Sequence, residues 1–219
     1  MGLSNISFIK YLFISALLLS NIIASKIVSI GVLIVPAAIV LYPLTFLFTD
    51  VVSEVEGKES AHTLVIMGFC MSLFMVLVIF IGKVLPPAFF WEHQDSYNII
   101  LGATPRIVFA SMVAYLVSQN HDVWAFHWWK RKTAGRHLWL RNNLSTMVSQ
   151  LIDSVLFIGI AFTGVYPAKA IAGMILGQYL IKVCIAVLDT PFCYMLVRLY
   201  AKDSEQEQGT GLLGKHSVS

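Results

Sequence analysis

Charge is scarce in this sequence. Only 12% of its 219 residues are Asp, Glu, Lys or Arg, about half the share of an ordinary soluble domain. Cysteine is scarcer still. Cys70, Cys184 and Cys193 stand apart inside apolar stretches, with no CxxC pair and no His at ligand spacing. They read as small membrane-core residues and not as a disulfide framework or a metal site. Catalytic signatures are also missing: there is no HExxH, no GxSxG and no phosphate-binding glycine loop. The net charge of +3 is too small to argue for a nucleic-acid partner.

What the chain has is apolar length, with 58% hydrophobic residues. A membrane-spanning helix needs about 20 mostly apolar residues. Six such stretches occur, at 8–29, 33–53, 62–83, 98–122, 144–164 and 171–196. Lipid offers no partner for backbone N–H and C=O groups, so each is expected to be helical. Pro36 and Pro43 fall in the second stretch, Pro105 near the start of the fourth and Pro191 near the end of the sixth; each is expected to kink its helix. The segment Met1 to Ala24 has the look of a signal peptide, but its apolar character continues past Ser25, so it is read as the first span. The fold class expected is an all-α membrane protein. It is a six-helix transmembrane domain over 1–202, followed by a polar, disordered cytoplasmic tail over 203–219.

Basic residues orient the bundle. The loop after the fourth stretch holds Lys130, Arg131, Lys132, Arg136 and Arg141 and is placed in the cytoplasm. Both termini and the 54–61 loop then share that side, together with Lys10, Lys58, Arg198, Lys202 and Lys215. The outer loops hold Lys83 and Lys169. Lys26, at the outer end of the first span, can snorkel to the interface. Trp91 marks the outer interface, and Trp124, Trp128, Trp129 and Trp139 bracket the basic loop as an inner aromatic belt. His121, His127 and His137 around that loop are read as neutral interfacial residues. The matching pieces Leu116-Val117-Ser118-Gln119 and Met147-Val148-Ser149-Gln150 are too short to establish an internal repeat.

Polar residues inside the spans are costly, so they are expected to face the bundle interior, a partner or a wet cavity. They share helix faces. Asn143, Thr146, Gln150 and Asp153 lie at i, i+3, i+7 and i+10. Ser111, Tyr115, Gln119 and Asp122 lie at i, i+4, i+8 and i+11, and Gln178, Lys182 and Asp189 at i, i+4 and i+11. Thr45, Thr49, Asp50, Ser53 and Glu54 end the second span. At about 1.5 Å of rise per residue, Asp153 lies roughly 13 Å from the inner surface and Lys182 roughly 12 Å from the outer one. At those depths they can pair, or both can meet a ligand. Asn21 and Arg106 fall at a similar outer depth.

Three stretches resemble the hallmarks of a known family. Pro43-Leu44-Thr45-Phe46-Leu47-Phe48-Thr49-Asp50-Val51-Val52-Ser53-Glu54-Val55 is similar to one hallmark of the queuosine precursor transporters, also called the vitamin uptake transporter family. Gly135-Arg136-His137-Leu138-Trp139-Leu140-Arg141-Asn142-Asn143-Leu144-Ser145-Thr146, running on to Ser149-Gln150-Leu151-Ile152-Asp153, resembles a second. Ala114-Tyr115-Leu116-Val117-Ser118-Gln119, then Asp122-Val123-Trp124, resembles a third. The likeness covers Asn21 to about Tyr200. It departs at Glu56-Gly57, where the family pattern has Tyr-Gly.

The resemblance implies an inner-membrane importer of deazaguanine bases destined for tRNA queuosine: 7-cyano-7-deazaguanine, its aminomethyl relative or queuine. Such a base presents two N–H donors beside a carbonyl. A carboxylate can accept both donors, an amide can complement the carbonyl edge, and aromatic rings can stack on the plane. The candidate substrate-binding residues are Asp153 or Asp50 for the donor edge, with Gln150, Asn143 and Gln119 nearby. Glu54, Tyr115, Asp122, Asn21, Arg106 and Lys182 complete the polar set. No cofactor is expected. The expected partners are the substrate and membrane lipid, with a homodimer as a candidate assembly. Two rival readings are an intramembrane enzyme using the aspartates and the substrate-binding subunit of a larger vitamin-uptake complex.

Overall fold

The computed structural model describes residues 5–132 and 138–185. The tail over 203–219, Asp189, Pro191 and the end of the sixth expected span lie outside the described residues, as do the side chains of Asp122 and Asn143.

The described chain is mostly helical. Helix α1 (Asn5–Ile23) leads into a short hairpin of β1 (Ile27–Ile30) and β2 (Leu33–Pro36), then a 3-10 turn over Ala37–Val40 and helix α2 (Tyr42–Glu56). Helices α3 (Lys58–Val84), α4 (Gln94–Gly102), α5 (Thr104–Lys132) and α6 (Leu138–Phe162) follow, and α7 covers Ala168–Ile185. Among the described residues four helical stretches are long and apolar enough to cross a membrane: Ile6–Ile23, Lys58–Val84, Gln94–His121 and Ala168–Ile185.

The hairpin corrects the all-α expectation and the continuous helix expected over 33–53. Its strands are rich in β-branched residues, which lose rotamer freedom in a helix and pack well on a pleated surface. They pair antiparallel from Ile27 with Pro36 to Ile30 with Leu33. The two-residue turn between them starts at Gly31 with φ 60°, the place where a type II′ turn calls for glycine. The backbone N–H of Ala37 donates to Lys26 O at 2.8 Å and closes the hairpin's base. Non-helical backbone survives at membrane depth only where protein or a wet cavity surrounds it, and here α7 lies directly against β2. A Cβ added at Gly177 would come 2.8 Å from the Ile34 carbonyl oxygen.

The prolines start elements instead of kinking them. Pro36 precedes the 3-10 turn and Pro43 stands in the first turn of α2. Pro105 stands in the first turn of α5. Those are positions whose N–H groups have no intrahelical acceptor.

At the other end of α2, Gly57 (φ 94°) turns the chain straight into α3. The departure at Glu56 has a structural role here. Its carboxylate accepts Lys10 Nζ at 2.5 Å and the Ser60 hydroxyl, clasping the start of α1 to the α2–α3 corner. Burial alone raises the Glu56 carboxyl, but the hydrogen bonds from Lys10 and Ser60 and the charge of Lys10 outweigh it, so it titrates below its ordinary value.

Two apolar clusters hold the bundle. One joins Ile9 and Phe13 of α1 to Val51 and Val52 of α2 and to Ala61, Leu64 and Val65 of α3. The other joins Ala24 to Ile107 and Ala110 of α5, Ile158 and Ala161 of α6, and Met174 of α7. The outer face of α3 shows Met67, Met71, Phe74, Leu77 and Phe80. A patch of that kind would be a liability in water and is an ordinary lipid-facing surface in a membrane.

Candidate functional site

The polar stripes meet in one cavity between the two apolar clusters. It encloses about 210 Å³, far more than the ~10–15 Å³ that admits one water. Helix α1 contributes Ser20 and Asn21, α2 contributes Tyr42, Thr45, Thr49 and Asp50, and α5 contributes Ser111, Tyr115 and Gln119. Asp153 comes from α6, and Gln178 and Lys182 come from α7. Phe13, Phe46, Phe69 and Phe157 supply apolar walls. Helical periodicity explains the convergence: residues spaced by three, four or seven share a face, and each face turns inward.

At the floor, Lys182 Nζ bonds the Asp153 carboxylate. The ammonium is buried, at 3% exposure, whereas the Asp153 side chain keeps 20%. Lys182 also stands 4.2 Å above the centre of the Tyr42 ring, a cation–π contact that helps carry a desolvated charge. The Tyr42 hydroxyl in turn donates to Gln150 Oε1 at 2.8 Å. One chain of contacts therefore ties α2, α6 and α7 together around the ion pair. The matching depths expected of Asp153 and Lys182 are realised as this contact.

The other walls are fixed locally. Asn21 is buried, and its Nδ2 donates to Ser72 Oγ at 3.3 Å. The hydroxyls of Thr45 and Thr49 donate to the carbonyls of Tyr42 and Thr45 one turn back. Tyr115 packs edge-on against Phe69, with ring centres 5.2 Å apart. Tyr42 and Phe46 lie 4.3 Å apart at a tilt of 43°. Flat aromatic faces and a few directed polar groups suit a small planar ligand.

Of the residues picked out from the sequence, the structure brings Asn21, Asp50, Tyr115, Gln119, Asp153 and Lys182 to the cavity lining. Gln150 sits behind the wall, as the acceptor for Tyr42. Arg106 lies elsewhere: its Nε and a terminal nitrogen donate at 2.6 Å to the carbonyls of Ile160 and Thr163, capping the end of α6. Glu54 is exposed and away from the lining. The side chains of Asn143 and Asp122 lie outside the described residues.

Sequence reasoning passed over Tyr42 and left Gln178 out of the candidate set. Gln178 carried a usable signal, one turn before Lys182 on the same face. Tyr42 carried none, because an aromatic beside Pro43 at a helix start looks like any packing residue.

Residues 36–196 match the family described as "Putative vitamin uptake transporter". The chain is 33% identical over 165 residues to a "Probable queuosine precursor transporter" of Bacillus subtilis (strain 168), an alignment that covers 75% of this chain and 72% of the relative. No solved structure matches.

Proposed function

This chain belongs to the vitamin uptake transporter family, and from that membership and the cavity we propose that it imports queuosine precursors, the substrate class in its Bacillus relative's name. The family is one of transporters, which sets aside the intramembrane enzyme, and several apolar helices make the chain a multi-pass protein of the cell membrane. The cargo is a deazaguanine base: 7-cyano-7-deazaguanine, its aminomethyl relative or queuine.

The observation that carries this reading is the buried Lys182–Asp153 pair at the floor of an aromatic-walled cavity. Burying two charges in a membrane protein is expensive, and such groups cluster along substrate pathways. Asp153 keeps part of its side chain open to the cavity. That leaves a carboxylate oxygen for the paired N–H donors of a guanine-type ring. Tyr42, Phe46, Phe69 and Tyr115 offer faces and edges for the ring plane.

Crossing requires the bundle to be complete. We place six spans in the membrane, with both termini cytoplasmic. The hairpin, the 3-10 turn and α2 together form the broken second span, α4 and α5 the fourth, and α6 the fifth. Helices interrupted at midplane are a recurring way to build a transport site.

The test is growth of a queuosine-precursor auxotroph with this chain as the sole importer. Supplied with 7-cyano-7-deazaguanine, the cells are expected to show queuosine in tRNA. Absence of queuosine from cells that carry inserted protein would refute the reading.

A further inference from the structure

The polar groups that line the cavity are mostly committed to protein partners. Tyr42 donates to Gln150, Asn21 Nδ2 to Ser72, and Lys182 to Asp153. The hydroxyls of Ser20, Thr45 and Thr49 are spent on carbonyls of their own helices. Ser111, Tyr115 and Gln119 are partly or fully exposed, so water can serve them. Gln178 is different. It is 4% exposed, it lines the cavity, and its carboxamide makes no hydrogen bond among the described residues. Its amide is not sealed off, since Thr104 Oγ1 is the fully buried polar atom without a partner among the described residues, so the partners of the Gln178 amide come from the cavity, where a ligand can supply them.

Its placement is fixed by its neighbour. Gly177 lets α7 lie flush on β2, where any Cβ would meet the Ile34 carbonyl oxygen at 2.8 Å and Val35 Cγ1 at 3.0 Å. One turn further along the same face, Lys182 is pinned by Asp153. Gln178 is thus held between two anchored points and presents two N–H donors and one carbonyl oxygen to the ligand space.

We propose that Gln178 is the specificity-determining residue that donates from Nε2 to the ring carbonyl of the bound base. The inference rests on the import reading above and deepens it. Asp153, an acceptor, takes the ring N–H and amino donors, and Gln178, a donor, takes the adjacent carbonyl oxygen. The two together suit a guanine-type edge, with the ring donors toward Asp153 and the carbonyl oxygen toward Gln178. A pocket group left unpaired by the wrong substrate is a strong source of rejection.

The test uses the full-length chain purified in detergent, with labelled 7-cyano-7-deazaguanine as probe. Its 6-thio analogue is the competitor. The analogue keeps both ring donors but replaces the carbonyl oxygen with sulfur, a weak acceptor. Wild type is expected to bind the oxo base about five- to tenfold more tightly than the thio analogue. In Gln178→Met, and equally in Gln178→Leu, that ratio falls to about one while the oxo base itself binds about tenfold more weakly. A ratio unchanged in either variant overturns the assignment, since a merely structural glutamine would weaken both ligands alike. So does a wild type that does not distinguish the two ligands, which needs no variant to fold. A wild type that binds neither base contradicts the import reading itself, a different failure from an unchanged ratio.

Discussion

Asp153 and Lys182 depend on each other more than on the rest of the fold. Removing one charge of a buried pair strands the other, at a cost of about 3–5 kcal/mol, whereas replacing both with apolar groups of similar size is often neutral. Asp153→Asn and Lys182→Met are each expected to lower thermal stability in detergent. The double variant should recover most of that stability and still fail to import. Recovery of uptake in the double variant would remove the pair from the site. Tyr42→Phe loses the bond to Gln150, about 0.5–1.5 kcal/mol, and keeps the ring beneath Lys182. Arg106 makes the opposite case. Its two bonds close the end of α6, where a cation also meets the negative end of the helix dipole. Arg106→Ala should destabilise by about 1 kcal/mol and leave the KM for uptake unchanged. Sequence assigned Arg106 an expected depth but could not show its direction, because depth along a helix says nothing about which neighbouring helix ends beside it. The Lys10–Glu56 clasp responds to pH. The Glu56 carboxyl is held below its ordinary value of 4.5, so its stabilisation is complete above that value. It is lost as pH falls through the depressed folded value. Both side chains are about 30% exposed or less, and surface pairs contribute about 0.2–1 kcal/mol. Acid denaturation of Glu56→Gln against wild type measures it: the two should converge at low pH.

At the scale of elements, the helical stripes were legible and the hairpin was not. Ser111, Tyr115 and Gln119 reach the cavity from α5 as their i, i+4, i+8 spacing expects. Such a stripe survives any modest error in the helix boundaries. The segment 27–36 gave no such signal. It is apolar throughout except for Ser29, so neither period two nor period 3.6 stands out, and buried strand and buried helix look alike. Pro36 and Pro43 were read as kinks when they mark starts, because the break they flank is a change of element. Gly177 is the hinge of this arrangement. Gly177→Ala drives a methyl into the Ile34 carbonyl oxygen, and overpacking of that kind costs about 1–3 kcal/mol. It should lower both stability and uptake. Gly159→Ala on α6 meets nothing within 4 Å and should be neutral or slightly stabilising, as the better helix former. Equal behaviour of the two variants in a thermal shift assay would show that the hairpin does not seat α7.

For the molecule as a whole, packing and function divide the bundle along its length. Lipid tails are as apolar as the side chains they replace, so helix association in a membrane depends on close packing and interhelical polar bonds more than on the hydrophobic effect. The two apolar clusters provide the first. Asn21–Ser72 between α1 and α3, and Tyr42–Gln150 between α2 and α6, provide the second. The cavity lies where neither fills the space, and every long helix that borders it presents a polar residue there except α3, which offers Val65 and Phe69. We propose that the cavity is the route of the cargo. The direct measurement is substrate protection of introduced cysteines, with Cys70, Cys184 and Cys193 replaced by Ala. Thiols placed by Ser111→Cys and Thr45→Cys are titrated with a maleimide while 7-cyano-7-deazaguanine is present at ten times its Kd. Labelling at both should slow by about tenfold, with no change at Glu92→Cys in the α3–α4 loop. Labelling at Ser111→Cys and Thr45→Cys that proceeds equally fast with and without the base would contradict the account.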